Sequence, residues 1–180
     1  PQGGEPHPID LHNPRDRTAD ATLRRSLKEA KDVAFTEDAR EIAFVAGGDL
    51  YVMDTQLREP KRVTDVPDQI REPVFSPDHK TLYFVRDEGG QPDIWVARRA
   101  DEKLWWWQND SFVLERLTDD PAAEWALSLT PKGKRLAFIR GGGELWTMKP
   151  DGEDRIQLVD SWSAPWYTFS PDGRWVAYAL

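Results

Sequence analysis

Short blocks of apolar and polar residues recur along most of this chain. Four segments can be aligned, and they begin at Val33, Val74, Leu127 and Thr168. In each segment an apolar residue precedes a turn; these residues, Phe35, Phe75, Leu129 and Phe169, lie 40, 54 and 40 residues apart. Self-similarity at such a period predicts a repeat architecture.

Each repeat predicts the same four strands. The first ends at a turn of the Ser/Thr-Pro-Asp-Gly kind, in which proline presets φ and glycine accepts a positive φ. The second strand is a short apolar run, and the third follows glycines and opens with an acid, an aliphatic and an aromatic residue, as in Asp93-Ile94-Trp95. The fourth strand is more polar, which is typical of an outer edge.

Four strands at this period indicate a β-propeller blade. We therefore predict an all-β fold of antiparallel four-stranded blades, a partial, open propeller of about three and a half blades. The expected blades are 33–65, 72–119, 124–160 and, incomplete, 164–180. We expect Phe75 and Phe169 to be buried equivalents in successive inner strands. We also expect a longer polypeptide to close the ring, and this chain alone to self-associate through its open edges.

The first 32 residues fit the repeat less well. Residues 1–20 are rich in proline, glycine and charge, which favours a linker or the end of a preceding blade. Residues 21–32 allow two interpretations. They form the outer strand of a preceding blade, since Leu23 precedes Phe35 by the same 12 residues that separate Val63 from Phe75. Alternatively they form a short helix, which their residue preferences favour.

Charge and composition narrow the partners. With 24 basic and 32 acidic residues the net charge is −8, which argues against nucleic acid as a partner. No apolar run approaches a membrane span, and no signal peptide is visible. The chain has no cysteine, so disulfides and thiolate metal sites are excluded. We predict a soluble chain, with cytoplasm and periplasm both open as its location.

No catalytic constellation is evident. Ser76 and Ser170 occupy repeated turns, where a hydroxyl caps local backbone groups, and His79 replaces a turn glycine. We therefore predict no catalytic residue, no metal site and no cofactor in this chain. The acids that recur at the third strand are interpreted as acceptors for turn N–H groups; they are Asp49, Asp93 and Glu144.

The 14 extra residues of the middle interval include an insertion from about Ala100 to Ser111, which contains Trp105, Trp106 and Trp107. Three consecutive side chains of a strand cannot share one face. Three hypotheses follow for these tryptophans: docking on a neighbouring domain or subunit, packing back on their own blade, or capture of a peptide.

The mouth of the central channel is a second candidate site. The inner strands of a propeller line this channel, and here they are expected to begin near Glu72, Glu124 and Ala164. The residues that we select for substrate passage are Arg71, Glu72, Glu124, Trp125 and Trp162; the alternative for them is simple solvation in loops.

The turn TFSPDG and the acid-aliphatic-aromatic strand resemble the TolB-like propeller repeat. The phrases GGDLYVMDT, REPVFSPD and LVDSWSAPWYTFSPDGRWVAYA, together with the tryptophan-rich insertion, resemble the N-terminal propeller of tricorn-type serine peptidases over about 21–180. That resemblance implies a large peptidase with two propellers, a PDZ-like domain and a separate catalytic domain. It also implies propellers that admit peptides or release products.

The resulting hypothesis is a non-catalytic propeller segment that acts as scaffold and gate of a tricorn-like peptidase. Its implied partners are the remaining blades, the catalytic domain and peptides, and self-association is a further expectation. Two alternatives stay open. One is a TolB-like protein-binding module, and the other is the propeller of a prolyl-oligopeptidase-type enzyme, which precedes an α/β-hydrolase domain.

Overall fold

The computed structural model describes residues 29–160 and 166–179, and strands dominate them. Blade 1 has the strands β1 (Lys31–Phe35), β2 (Glu41–Ala46), β3 (Asp49–Asp54) and β4 (Pro60–Arg62). Blade 2 has the strands β5 (Gln69–Phe75), β6 (Thr81–Glu88), β7 (Gln91–Arg99) and β8 (Phe112–Arg116). Blade 3 has the strands β9 (Glu124–Leu129), β10 (Leu136–Arg140), β11 (Glu144–Met148) and β12 (Ile156–Val159). A two-stranded sheet has the strands β13 (Tyr167–Phe169) and β14 (Val176–Tyr178).

All pairings between these strands are antiparallel, and each four-stranded sheet follows chain order from its first strand to its fourth. The predicted all-β fold of partial propeller blades is therefore confirmed. Two short 3₁₀ helices interrupt the strands, at Trp106–Gln108 and Pro131–Gly133. No helix in the described ranges, 29–160 and 166–179, is long and apolar enough to cross a membrane.

The turn after each first strand is held by its own polar side chains. In blade 2 the Ser76 hydroxyl donates to Asp78 at 2.6 Å and accepts the Thr81 N–H at 3.0 Å. Thr36 and Ser170 make the corresponding bonds in their turns. The hydroxyls of Ser76 and Ser170 thus bond within their own turns, which is the structural role predicted for them.

The second strand of blade 2 is buried on both faces because blades 1 and 3 cover it. In β6, Leu82 and Phe84 belong to the apolar core shared with blade 1, whereas Tyr83 and Val85 belong to the core shared with blade 3. The two-residue alternation of a strand thus divides one apolar run between two interfaces. We call these interfaces junction 1–2 and junction 2–3.

The apolar residues before the turns are equivalent in register but differ in burial. Phe75 pairs with Leu82 and Phe169 with Val176, so they occupy the same place in their sheets. Phe75 is buried, whereas Phe169 is only half-buried and Phe35 is 57% exposed. The expectation of equal burial for Phe75 and Phe169 is therefore wrong, because among the described strands only blade 2 has a four-stranded neighbour on each face.

The predicted linker at 1–20 and most of the segment 21–32 lie outside the described residues. Within the described part, β1 begins at Lys31, two residues before the expected start of the first blade. The third-strand acids also differ slightly from expectation, since Asp49 and Glu144 begin their strands while Asp93 is the third residue of β7.

Candidate functional site

The first strands of neighbouring blades are tied together by a relay of carboxylates. Asp32 accepts the backbone N–H of Glu72 at 3.2 Å, and Glu72 in turn accepts the N–H of Leu127 at 2.8 Å. Asp32, Glu72 and Ala126 all have positive φ, at 48°, 54° and 54°, and each sits at an irregularity of the inner pairing. These bonds bring β1, β5 and β9 together, so the first strands form the inner side of the arc.

The relay gives a structural role to Glu72, one of the predicted channel residues. The carboxylate of Glu72 bonds the adjacent blade, so it links blade 2 to blade 3. The relay of carboxylates ends at blade 3, because the residue equivalent to Asp32 and Glu72 is Ala126. Instead, the Tyr167 hydroxyl donates to the Ala126 carbonyl at 2.6 Å and lies 2.8 Å from the Ser128 hydroxyl. Burial raises the pKa of Tyr167 far above its ordinary value.

Arg71 and Trp125 occupy equivalent positions of β5 and β9, where they pair with Val85 and Ile139. The Arg71 side chain is 37% exposed and lies 3.9 Å from the Asp87 carboxylate. Trp125 is half-buried, and its indole nitrogen donates to the Gly141 carbonyl at 3.4 Å. Both side chains, like that of Glu72, keep partial access to solvent. Trp162 lies outside the described residues.

Glu124 differs from the other predicted channel residues because it has no exposed surface. Its Oε2 accepts a short hydrogen bond from the Thr118 hydroxyl, and its Oε1 has no hydrogen-bond partner. Burial raises the pKa of the Glu124 carboxyl to about 7, against the opposing effects of the Thr118 bond and of Arg155. Glu124 is therefore a buried acid of junction 2–3, and the expectation that it meets substrate at a channel mouth is wrong.

The tryptophan insertion connects β7 to β8, and its middle forms a 3₁₀ helix where a strand had been assumed. Trp106 is fully buried; its ring lies 5.8 Å from that of Phe75 and stacks on Phe112 at 5.7 Å. Its indole nitrogen donates to the His79 carbonyl at 2.7 Å. Trp106 is thus a core residue of junction 1–2, and the docking hypothesis does not hold for it. Trp105 is 40% exposed and Trp107 half-buried.

Glu41 is a residue that the sequence analysis missed. It begins β2, is 1% exposed, and accepts the backbone N–H of Trp106 on Oε1 at 2.7 Å. Burial raises the pKa of its carboxyl, although the N–H groups of Trp106 and Trp107 act in the opposite direction. The repeat contained a signal for this residue. Glu41 is an acid at a position after the turn where the other copies have no acid; they hold Thr81, Arg135 and Trp175.

The recurrent acids of the third strands serve structure. Asp49 and Asp93 are buried and pair with outer-strand arginines, Arg62 at 2.7 Å and Arg116 at 2.6 Å. Asp93 also accepts the N–H of Asp120 at 3.3 Å. The backbone N–H groups that Asp49 and Asp93 accept, from Val66 and Asp120, belong to the connection into the next blade, where turn N–H groups had been expected. Glu144 accepts the side chains of Arg140 and Trp146. Among the residues that the structure describes, no cluster of three or more acids or histidines could hold a metal ion.

No family model matches this chain. It is 28% identical over 112 residues to the uncharacterized protein Atu1656 of Agrobacterium fabrum (strain C58 / ATCC 33970); this covers 62% of the chain and 35% of the relative. It is 25% identical over 159 residues to the uncharacterized peptidase YuxL of Bacillus subtilis (strain 168), which covers 84% of the chain and 22% of YuxL. The chain therefore spans about a third and about a fifth of the lengths of these relatives.

Two solved structures define the fold. TolB from Acinetobacter baumannii superposes with a TM-score of 0.64 at 21% identity, over 83% of this chain and 37% of TolB. The tricorn protease superposes with a TM-score of 0.62 at 16% identity, over 83% of this chain and 14% of the protease. Both likenesses show a TolB-like β-propeller fold, and the chain is a propeller module.

Proposed function

We propose that this module is the non-catalytic propeller segment of a larger peptidase of the tricorn kind, in which it acts as scaffold and as gate for peptides. The observation that carries the proposal is the match to the peptidase YuxL over 84% of this chain, combined with the superposition on the tricorn protease. In both proteins the matched part is a minor share of the length, which leaves room for a catalytic domain elsewhere.

The scaffold role is supported by the inner relay. Asp32 accepts a hydrogen bond from blade 2, and Glu72 accepts one from blade 3, so the first strands are held in a fixed relation. The turns at the opposite ends of these strands are also packed on one another. A Cβ added to Gly133 would lie 2.0 Å from the ring of Pro77, so the contact leaves no room for a side chain. A rim fixed at both ends is suited to carry a catalytic domain.

The gate role is supported by the partly exposed side chains on the inner strands. Arg71 and Trp125 stand at one position of successive blades, and Lys31 holds the same position in blade 1. A cation and an aromatic ring along an inner wall offer contacts to carboxylates and to apolar side chains of a passing peptide.

The test uses the complete protein that this chain belongs to. Hydrolysis of a short fluorogenic peptide is compared with hydrolysis of a long unfolded polypeptide. In the Arg71→Glu variant we expect kcat/KM for the long substrate to change by about threefold or more, with the short peptide unaffected. Lys80→Glu, in an exposed turn at the other end of β5 and β6, is the matched control. A complete protein without peptidase activity, or an Arg71→Glu variant that treats both substrates normally, contradicts the proposal.

A second function is a TolB-like module that presents a propeller face to a protein partner. It is favoured by the TolB superposition, whose TM-score of 0.64 is slightly above the 0.62 of the tricorn protease. Experiments on the complete protein also distinguish the two functions. A complete protein that hydrolyses no peptide but retains a partner protein through washing supports the TolB-like module.

A further inference from the structure

A cavity of about 260 Å³ lies where the insertion of blade 2 meets blade 1. Its walls include Glu41 and Asp54 from blade 1 and Trp105 and Trp107 from the insertion. The cavity is thus formed by two blades, and it lies at the turn end of the sheets, away from the relay of inner carboxylates. Neither the peptidase-type function nor the TolB-like function uses it.

The Glu41 carboxylate presents one unused acceptor. Its Oε1 is occupied by the Trp106 N–H, whereas its buried Oε2 makes no hydrogen bond of good geometry, although the Trp107 N–H is near enough to lower the pKa of the carboxyl. Leaving a buried carboxylate oxygen without a donor is costly, so native structures rarely do so without a reason. Since Glu41 lines the cavity, a ligand there is the natural source of the missing donor.

The rest of the wall favours a positive ligand. Tryptophan is the best aromatic partner for a cation, and Trp105 keeps 40% of its surface exposed. Asp54 adds a second carboxylate, whose Oδ1 accepts the Gln56 N–H at 2.6 Å. Arg40 also borders the cavity, but its guanidinium lies 3.7 Å from Asp38, and its side chain is 68% exposed. Two carboxylates therefore outnumber the single cation of the wall.

We propose that this cavity binds a primary ammonium group, carried by a lysine side chain or by the amino terminus of a peptide. A guanidinium is recognised best when both oxygens of a carboxylate are available to its fork of donors. Here only one oxygen of Glu41 is available. An ammonium is a compact point charge, so it needs one such oxygen and an aromatic surface for its remaining face.

The proposal is tested by calorimetric titration of the chain with three probes. Nα-acetyl-lysine methylamide carries only a side-chain ammonium, triglycine amide carries only an amino-terminal ammonium, and Nα-acetyl-arginine methylamide carries a guanidinium. We expect an ammonium probe to bind with a Kd below about 10 mM and the arginine probe to bind at least about tenfold more weakly. Binding of the lysine probe alone identifies a side chain as the natural ligand, and binding of triglycine amide identifies an amino terminus.

Variants then locate the site. Glu41→Gln keeps the size of the side chain and an oxygen for the Trp106 N–H but removes the charge, so the affinity should fall about tenfold or more. Glu102→Gln, an exposed acid of the same insertion, is the matched control and should bind normally. Failure of both ammonium probes to bind, equal affinity for the arginine probe, or unchanged binding by Glu41→Gln overturns the proposal.

Thermal unfolding would reveal whether Glu41→Gln fails to fold. In that case a second variant tests the site. Trp105→Ala removes an exposed ring that is not part of the apolar core. Its affinity for the ammonium probe should fall about threefold or more, because the cation loses its aromatic surface. Binding by Trp105→Ala at the affinity of the unmodified chain would also overturn the proposal.

Discussion

Junctions 1–2 and 2–3 are built on the same frame but filled with different chemistry. In junction 1–2 the inner strand contributes Ile70, which pairs with Arg86; in junction 2–3 the equivalent residue is Glu124, which pairs with Arg140. Both residues are buried. Fifty-four residues apart in the repeat, one is an ordinary core residue and the other an ionisable group with an unpartnered oxygen.

The hydroxyl of an equivalent threonine donates to a different acid in each junction. Thr64 and Thr118 are also equivalent, and each hydroxyl accepts a backbone N–H of the third strand, from Leu50 and from Ile94, at 2.9 Å. The Thr64 hydroxyl donates its hydrogen to Asp49, whereas the Thr118 hydroxyl donates to Glu124. A hydroxyl has a single hydrogen to donate, so junction 2–3 accommodates its buried acid by redirecting that hydrogen from the third-strand acid to Glu124.

The largest expected effect breaks junction 1–2. Trp106→Ala should lower the free energy of unfolding by about 5 kcal/mol, because it leaves a large cavity and removes the indole bond to His79. Denaturant unfolding measures it, and Trp105→Ala, next to it but exposed, is the control with an expected loss below about 1 kcal/mol. Similar losses in both variants would show that the two tryptophans do not differ in role.

The next variant makes junction 1–2 resemble junction 2–3. Ile70→Glu should cost about 4 kcal/mol at pH 8, since it loses apolar burial and places a carboxylate where the Thr64 hydroxyl already donates to Asp49. Ile70→Val is the control, with an expected cost of about 1 kcal/mol. A loss for Ile70→Glu as small as that of the control would mean that the junction accepts an acid without any adaptation.

The reverse change tests the buried acid. The pKa of Glu124 is about 7 in the folded chain, above its ordinary value of 4.5. A raised acid pKa means that the folded state binds the proton more tightly, so stability falls as the pH rises from about 4.5 to 7. Glu124→Gln should therefore be more stable than the unmodified chain by about 2–3 kcal/mol at pH 8.

That advantage should fall below about 1 kcal/mol near pH 5, where Glu124 is largely protonated in the folded chain. The neighbouring charges act in opposite directions, since Arg155 lowers the pKa of Glu124 and Asp93 raises it. Urea unfolding of both proteins from pH 5 to pH 8 gives the measurement. A difference in stability that is the same at both ends of this range would show that Glu124 does not titrate between them.

The smallest effects are expected for the two equivalent threonines of the junctions. Thr64→Val and Thr118→Val should each cost about 1–2 kcal/mol, because a buried N–H loses its acceptor. Only the loss in Thr118→Val should depend on pH, since that hydroxyl donates to an acid that titrates. Unfolding at pH 5 and pH 8 distinguishes them, and a pH-dependent loss in Thr64→Val would remove the distinction.

The repeat predicted most of the fold because each copy carries its own strands and turns in a short stretch of chain. Trp106 was misjudged because three tryptophans were placed on a strand, whereas a 3₁₀ helix directs the middle ring into the core. Glu124 was misjudged because its position near the start of an inner strand indicates the channel. Alignment with Ile70 would have indicated that Glu124 is buried. Its hydrogen-bond partner Thr118 could not be predicted, because it lies in the connection after β8 and reaches Glu124 only through the packing of blade 2 on blade 3.

The inner relay also bears on how such an arc arises. Blade 2 carries both parts of the relay in one residue, because the Glu72 N–H bonds Asp32 of blade 1 and the Glu72 carboxylate accepts the Leu127 N–H of blade 3. A gene segment that encodes a blade of this kind therefore encodes both of its inner bonds. A tandem copy of such a segment would add a blade together with the bonds that fix it to its two neighbours.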